Sequence, residues 1–136
     1  MANRFFNYNI YTAKLNEIKF RQNIIVATIN PYSFIIAEKD LLFKDALVKS
    51  DILLPDGQGI VWAIKFLYNA KIKRIAGYDV FIYLMDELAK KEGKCFFFGS
   101  STETLQKIKN KLKVDKKKIY LKFYPFANRL TFCHDY

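Results

Sequence analysis

The chain has 136 residues, 51% of them apolar, and a formal net charge of +10; that is one ordinary domain with enough apolar material for a core. No window approaches the ~18 consecutive apolar residues of a transmembrane helix, "MANRFFNYNIYTAKL" lacks the apolar centre and cleavage site of a secretory signal, and two cysteines, Cys95 and Cys133, make no disulfide framework, so a reduced thiol and a cytoplasmic setting fit. The charge favours phosphate-bearing partners, namely nucleic acid, sugar nucleotides or an anionic membrane surface, unless the lysine-rich composition only mirrors the base bias of a genome.

"NIIVATIN", Asn23 to Asn30, is β-branched and reads as a buried strand. Asn30 can cap a helix and Pro31 suits its first turn, so a short helix is expected there. "DLLFKDALVKSD" continues as a second helix with Leu42, Ala46 and Leu47 on its apolar side. "DILLPDG" is a second strand ending in a turn, and "GIVWAIKFLY" a helix apolar nearly all round and expected to be deeply buried. After the connection "NAKIKRIAGYDV" comes an amphipathic helix, "DVFIYLMDELAKKEG", with Phe81, Leu84, Met85 and Leu88 on one face, Asp79 as its N-cap and Gly93 as its stop. "KCFFFGS" is a third strand, apolar enough to be covered on both faces. "STETLQKIKNKLK" is a helix with Leu105, Ile108 and Leu112 on one side, and "KIYLKFY" a fourth strand. Alternating strands and helices give an α/β layer structure with a mostly parallel sheet. Such folds bind ligands at the carboxyl ends of their strands.

Three polar clusters stand at such ends: Thr28-Ile29-Asn30, Asp56-Gly57-Gln58-Gly59 and Gly99-Ser100-Ser101. Asp56 either caps the helix that starts near Ile60, a role Gly59 also fits, or serves as a general base that glycines allow a ligand to approach. Thr28 and Asn30 either end the strand and cap the next helix or hydrogen-bond a polar ligand such as a sugar. Arg74, beside two lysines, is either solvated or clamps a diphosphate with paired N–H donors. Gly99 and Ser100 open a strand–turn–helix that can face an anion with backbone N–H groups, or Ser100, Ser101 and Thr102 only cap the helix. There is no Walker A loop and no dinucleotide glycine motif. The lysines from Lys107 to Lys118 flank an apolar helix face, which favours a solvated surface over nucleic-acid or lipid contact. His134, the sole histidine, is a poor catalytic base, and no protein-built metal site is expected.

Taken in order, "TINPYSFIIAEKD", "ALVKSDILLPDGQGIVWAIKFL", "KRIAGYDVF" and "CFFFGSS" resemble the bacterial glycosyltransferases of the WecG/TagA/CpsF family, over about Asn23 to Asn128. The resemblance implies a Rossmann-like layered α/β fold, 1–136 being a single domain that is incomplete at the C-terminus with a divergent tail at 129–136. It implies transfer of an N-acetylmannosamine-type sugar from a UDP donor to a polyprenyl-diphosphate-linked N-acetylglucosamine, in teichoic acid or other cell-surface polysaccharide synthesis. By the same resemblance Asp56 matches the catalytic base, Thr28 and Asn30 the active-site Thr-x-Asn, and Arg74 an arginine that holds the acceptor diphosphate. Gln58 and Gly57 take supporting roles, as do Gly99 and Ser100. The resemblance also implies catalysis without a metal and without a cofactor. The implied location is the cytoplasm, peripheral at the inner face of the plasma membrane. Family members are longer, and the later sheet, a Pro-Lys-Gln-Glu-type donor motif and a basic appendage have no counterpart in this sequence. The expectation is therefore a truncated chain, weakly active or inactive alone, whose open sheet edge homo-oligomerisation would partly hide. The competing readings are a basic nucleic-acid-binding domain and a catalytically inactive remnant.

Overall fold

A computed structural model describes residues 2–20, 23–115 and 120–124. The chain divides into two compact units, residues 1–81 and 82–136. The expected α/β class is borne out: strand pairing is parallel throughout except in one N-terminal hairpin.

The first unit holds a four-stranded sheet in the order β1-β2-β4-β3. Its strands are β1 (Ala2–Phe5), β2 (Tyr8–Tyr11), β3 (Val26–Ile29) and β4 (Ile52–Pro55). The β1–β2 hairpin was not foreseen, because its turn, Phe6-Asn7, lacks glycine. Both turn residues take positive φ, 52° and 68°, as a tight two-residue hairpin requires. Phe6 is held in that costly conformation from outside the turn. Its N–H donates to Tyr68 Oη at 2.9 Å, and its ring meets Phe34 and Tyr68 edge-on. The usable signal was the run "RFFNYNIY", two strand-forming segments around an asparagine.

Helix α1 (Pro31–Ala37) follows β3, and α2 (Leu41–Val48) leads to β4. Asn30 caps α1 as expected. Its Oδ1 accepts from Ser33 N–H at 2.8 Å, and its own N–H donates to Ser33 Oγ at 2.8 Å. Asp40 caps α2 by accepting from the N–H groups of Leu42 and Phe43. That start fixes the phase of α2 differently from the sequence reading. Leu47 is buried and Phe43 packs against the core, whereas Leu42 is 85% exposed and Ala46 exposed. Leu42 and Ala46 sit one residue, about 100°, off the buried line.

Helix α3 (Gln58–Tyr68) corrects a second expectation. Ile60, Val61 and Ile64 are buried, but Trp62, Phe66 and Leu67 are 57%, 78% and 71% exposed. An all-apolar helix is here covered on one face only. The core it joins comprises Phe5, Tyr8, Ile10, Ile29, Ala37, Leu47, Leu53 and Ile72.

Tyr8 is fully buried and its Oη donates to Glu38 Oε1 at 3.2 Å, while Lys44 Nζ lies 2.9 Å from the same oxygen. Burial first, then the Glu38 carboxylate, pushes the Tyr8 phenol up to about 12. The neutral phenol is thus the form the fold selects. Its contribution to stability is complete below the phenol's unfolded value of about 10 and is lost as pH rises through about 12. In alkaline unfolding titrations, wild type should lose stability more steeply across that window than Tyr8→Phe; parallel curves would contradict it.

Helix α4 (Gly77–Lys90) begins in the first unit and continues into the second. Asp79 is not its N-cap but lies inside the first turn, where its carboxylate reaches back to accept from Ala76 N–H at 2.9 Å. Met85 is buried on the anticipated face, with Phe81, Leu84 and Leu88 half-buried. The helix ends as Gly93 N–H donates to Leu88 O at 2.8 Å, with Glu92 rather than the glycine taking positive φ.

In the second unit, β5 (Lys94–Phe98) and β6 (Tyr120–Tyr124) pair in parallel, with α5 (Thr102–Asp115) between them in sequence. Leu105 and Leu112 are buried and Ile108 half-buried, the expected α5 face. Lys107 pairs with Glu103 at 2.6 Å. The expectation that β5 is covered on both faces fails. Phe96 and Phe98 are 58% and 69% exposed and stack on each other at 6.4 Å, while Cys95 and Phe97, which alternate with them, are half-buried. The period of two survives even in an all-apolar strand. Burial pushes the free Cys95 thiol up, away from the reactive thiolate. Cys133, His134, Lys116 to Lys118 and the tail 129–136 lie outside the described residues.

Candidate active site

The site is built where β3 and β4 end. The two strands run parallel with Thr28 opposite Leu54 and Ile29 opposite Pro55. Ile29 is fully buried, so its neighbours Thr28 and Asn30 share the other side of the strand, both half-buried. Asp56 N–H donates to Ile29 O at 2.9 Å, which ties Asp56 beside them.

The open question about Asp56 has a structural answer on one side. The N-cap of α3 is Gly57, with no side-chain cap. The Asp56 carboxylate is half-buried and accepts no hydrogen bond or ion pair among the described residues. It is therefore not the helix cap. A carboxylate left unengaged at a strand end is available to take a proton.

Gly57 turns the chain at φ 91°, a conformation that L side chains rarely adopt. A Cβ on it would meet Pro31 Cδ at 3.4 Å and Asn30 Cβ at 3.5 Å, and one on Gly59 would meet Pro31 Cγ at 2.7 Å. The glycines thus let the start of α3 lie against the start of α1, with Gln58 exposed between them. Asn30 spends its Oδ1 on the α1 cap, which leaves its Nδ2 hydrogens without a partner among the described residues.

Arg74 arrives from a distant part of the sequence. Ile75 N–H donates to Pro55 O at 3.0 Å, which pins the connection carrying Arg74 against the end of β4. Gly77 lies beside Thr28, whose Cγ2 would be 3.8 Å from a Cβ there. Arg74 is exposed and lines an open cleft of about 240 Å³ with Ala13, Lys14, Leu15, Lys73, Ile75 and Asp79. Three cations face one carboxylate, and that carboxylate is held by Ala76 N–H. Such a cleft suits a diphosphate. Lys14 was missed by the sequence reading, because the segment that brings it here carried no assigned element.

Thr28, Asn30, Asp56, Gly57, Gln58 and Arg74 therefore converge at one end of the first unit's sheet. A profile of the glycosyl transferase WecG/TagA/CpsF family matches residues 6–125. The chain belongs to this family.

Two curated relatives share the name N-acetylglucosaminyldiphosphoundecaprenol N-acetyl-beta-D-mannosaminyltransferase. That of Bacillus subtilis is 34% identical over 88 residues, which cover 65% of this chain and 34% of the relative. That of Bacillus spizizenii is 33% identical over 88 residues, covering 62% of this chain and 34% of the relative. The aligned segment spans about a third of the length of these relatives.

The second unit, taken by itself, carries the other polar cluster singled out in the sequence, the turn after β5. Gly99 and Ser100 take positive φ, 112° and 68°. The cap of α5 is Ser101, whose Oγ accepts from Thr104 N–H at 3.2 Å, so Ser100 is not spent on it. A second cleft, of about 310 Å³, is lined by Tyr32, Ser33, Ile36, Asp40 and Phe43 of α1 and α2 and the turn between them, and includes none of the candidate site residues. Among the described residues no helix is long and apolar enough to cross a membrane.

Proposed function

We propose that this chain acts in a glycosyltransferase that moves an N-acetylmannosamine-type sugar from a UDP donor to a polyprenyl-diphosphate-linked N-acetylglucosamine, in teichoic acid or other cell-surface polysaccharide synthesis. Family membership supports the reaction class. The names of the two relatives support the acceptor and the sugar. The observation that carries the reading is the unengaged Asp56 carboxylate beside Thr28 and Asn30.

In this reading Asp56 accepts the proton of the acceptor hydroxyl as its oxygen attacks the anomeric carbon. The new glycosidic C–O bond forms as the bond to UDP breaks, and the electron pair leaves with the UDP oxygen. Thr28 Oγ1 and Asn30 Nδ2 hydrogen-bond the sugar, and Gly57 lets it approach the backbone. Gln58 supports the same turn. Arg74, joined by Lys14 and Lys73 in the cleft, pairs with the acceptor diphosphate. Gly99 and Ser100 offer backbone N–H groups to a phosphate. The work is done peripherally at the inner face of the plasma membrane, where such an acceptor is reached from the cytoplasm.

Incubating the intact protein with radiolabelled UDP-N-acetylmannosamine and a short-chain diphosphate-linked N-acetylglucosamine should move label into the acceptor. Label that stays in the nucleotide fraction, at acceptor concentrations that saturate a known family enzyme, would remove this reading.

A further inference from the structure

We propose that Asp79 is a specificity-determining residue of the cationic cleft, one that favours a diphosphate substituted at both ends over a diphosphate with a free end. This rests on the transferase reading, in which the cleft holds the acceptor diphosphate, and adds what the cleft turns away.

Both chain segments that line the cleft are held by hydrogen bonds. The Lys14 carbonyl accepts from Tyr11 Oη at 3.1 Å and from Glu17 N–H at 3.0 Å. Ile75 N–H donates to Pro55 O at 3.0 Å. Ala76 and Asp79 then bond each other twice: Ala76 N–H donates to Asp79 Oδ2 at 2.9 Å, and Asp79 N–H donates to Ala76 O at 3.0 Å. Lys73 and Arg74 precede this doubly tied turn. Lys14, Lys73 and Arg74 are exposed, line the cleft and pair with no carboxylate among the described residues. Asp79 lines the same cleft, and its other oxygen, Oδ1, accepts nothing among the described residues.

Helix capping accounts for the oxygen bound to Ala76 N–H, a role that an uncharged amide also fills. The charge itself acts in the cleft. Three cations against one carboxylate leave a surplus of two positive charges. A phosphate substituted on both sides carries about one negative charge, and a phosphate with a free end about 1.5–2 near neutral pH. A bridged diphosphate therefore matches the surplus, and a free-ended one exceeds it. The excess falls on the terminal phosphate, the group that a neighbouring carboxylate repels most. Repulsion of the wrong ligand is one of the two ways to build specificity. In the transferase reading the acceptor and its product are both bridged, whereas the departing UDP has a free end. Asp79 then keeps UDP from lodging in the acceptor's cleft.

The intact protein is titrated by calorimetry, at fixed low salt, with a short-chain prenyl-diphosphate-linked N-acetylglucosamine and with the same prenyl diphosphate bearing a free end. Wild type should bind the bridged probe more tightly. In Asp79→Asn the amide oxygen keeps the bond to Ala76 N–H and the charge is gone. At a separation of about 6 Å in a watery cleft, removing a unit charge is worth about threefold in affinity against one like charge and about tenfold against two. The bridged probe should therefore tighten about threefold and the free-ended one about tenfold, so the preference between them falls about threefold. Lys14→Gln tests the same electrostatics outside α4 and should weaken both probes, the free-ended one more. An unchanged ratio in Asp79→Asn overturns the proposal and leaves Asp79 a helix cap. Weaker binding of both probes by Asp79→Asn overturns it too, as do affinities that Lys14→Gln leaves untouched. A wild type that binds neither probe overturns the diphosphate reading of the cleft together with this proposal, whereas an unchanged ratio overturns this proposal alone.

Discussion

Replacing Asp56 by Asn in the intact protein is expected to slow sugar transfer by about 10²–10⁴-fold, the usual contribution of a positioned general base. Asparagine keeps the size and planarity of the side chain but removes the acceptor of the proton. The structure makes this substitution unusually easy to interpret. Asp56 caps no helix, and its carboxylate has no partner among the described residues. Its backbone N–H bond to Ile29 O is unaffected by the change. Stability should therefore stay within about 0.5 kcal/mol of wild type, as for substitutions that break no named interaction. Steady-state kinetics and urea denaturation on the same preparation separate the two effects. Normal turnover would exclude Asp56 as the base, and lost stability with proportionate loss of activity would make it a structural residue.

Ile64→Ala and Phe66→Ala should differ sharply although they are neighbours on α3. Ile64 is fully buried in the core that Ile29, Leu53 and Tyr8 also build. Removing its outer carbons leaves a cavity among side chains that relax only partly, at a cost of about 2–5 kcal/mol. Phe66 is 78% exposed and loses almost no burial. Its truncation should change stability by about 0.5 kcal/mol or less. Urea midpoints measure both. Equal losses would mean that the outer face of α3 is covered in solution.

The strands and helices after Val26 were legible because apolar runs there are punctuated by Pro31, Asp40, Pro55, Gly93 and Gly99. The N-terminal hairpin was not, since Phe6 is held in its turn by Tyr68, far along the chain. Apolar composition alone placed α3 and β5 too deep, because it counts apolar residues without saying what covers them. The site divides in the same way. Each of Thr28, Asn30, Asp56 and Arg74 could be named from its local setting, and the family resemblance grouped them. Their convergence depends on sheet register and on the Ile75–Pro55 hydrogen bond, which no local pattern contains. The cap question about Asp56 also needed the structure, because the sequence offered Asp56 and Gly59 as caps and the helix starts from Gly57 instead.

The order of the strands also bears on how the protein assembles. Chain order β2, β3, β4 becomes sheet order β2, β4, β3. The β3–β4 pair closes the shorter loop, through α1 and α2, while Ile10 reaches Leu53 only by closing a longer one around it. Longer closures cost more chain entropy and slow the step that makes them. The ends that bear Thr28 and Asp56 can therefore meet early during folding. The cationic cleft forms later, once Lys14 and the segment from Lys73 to Ile75 have both docked.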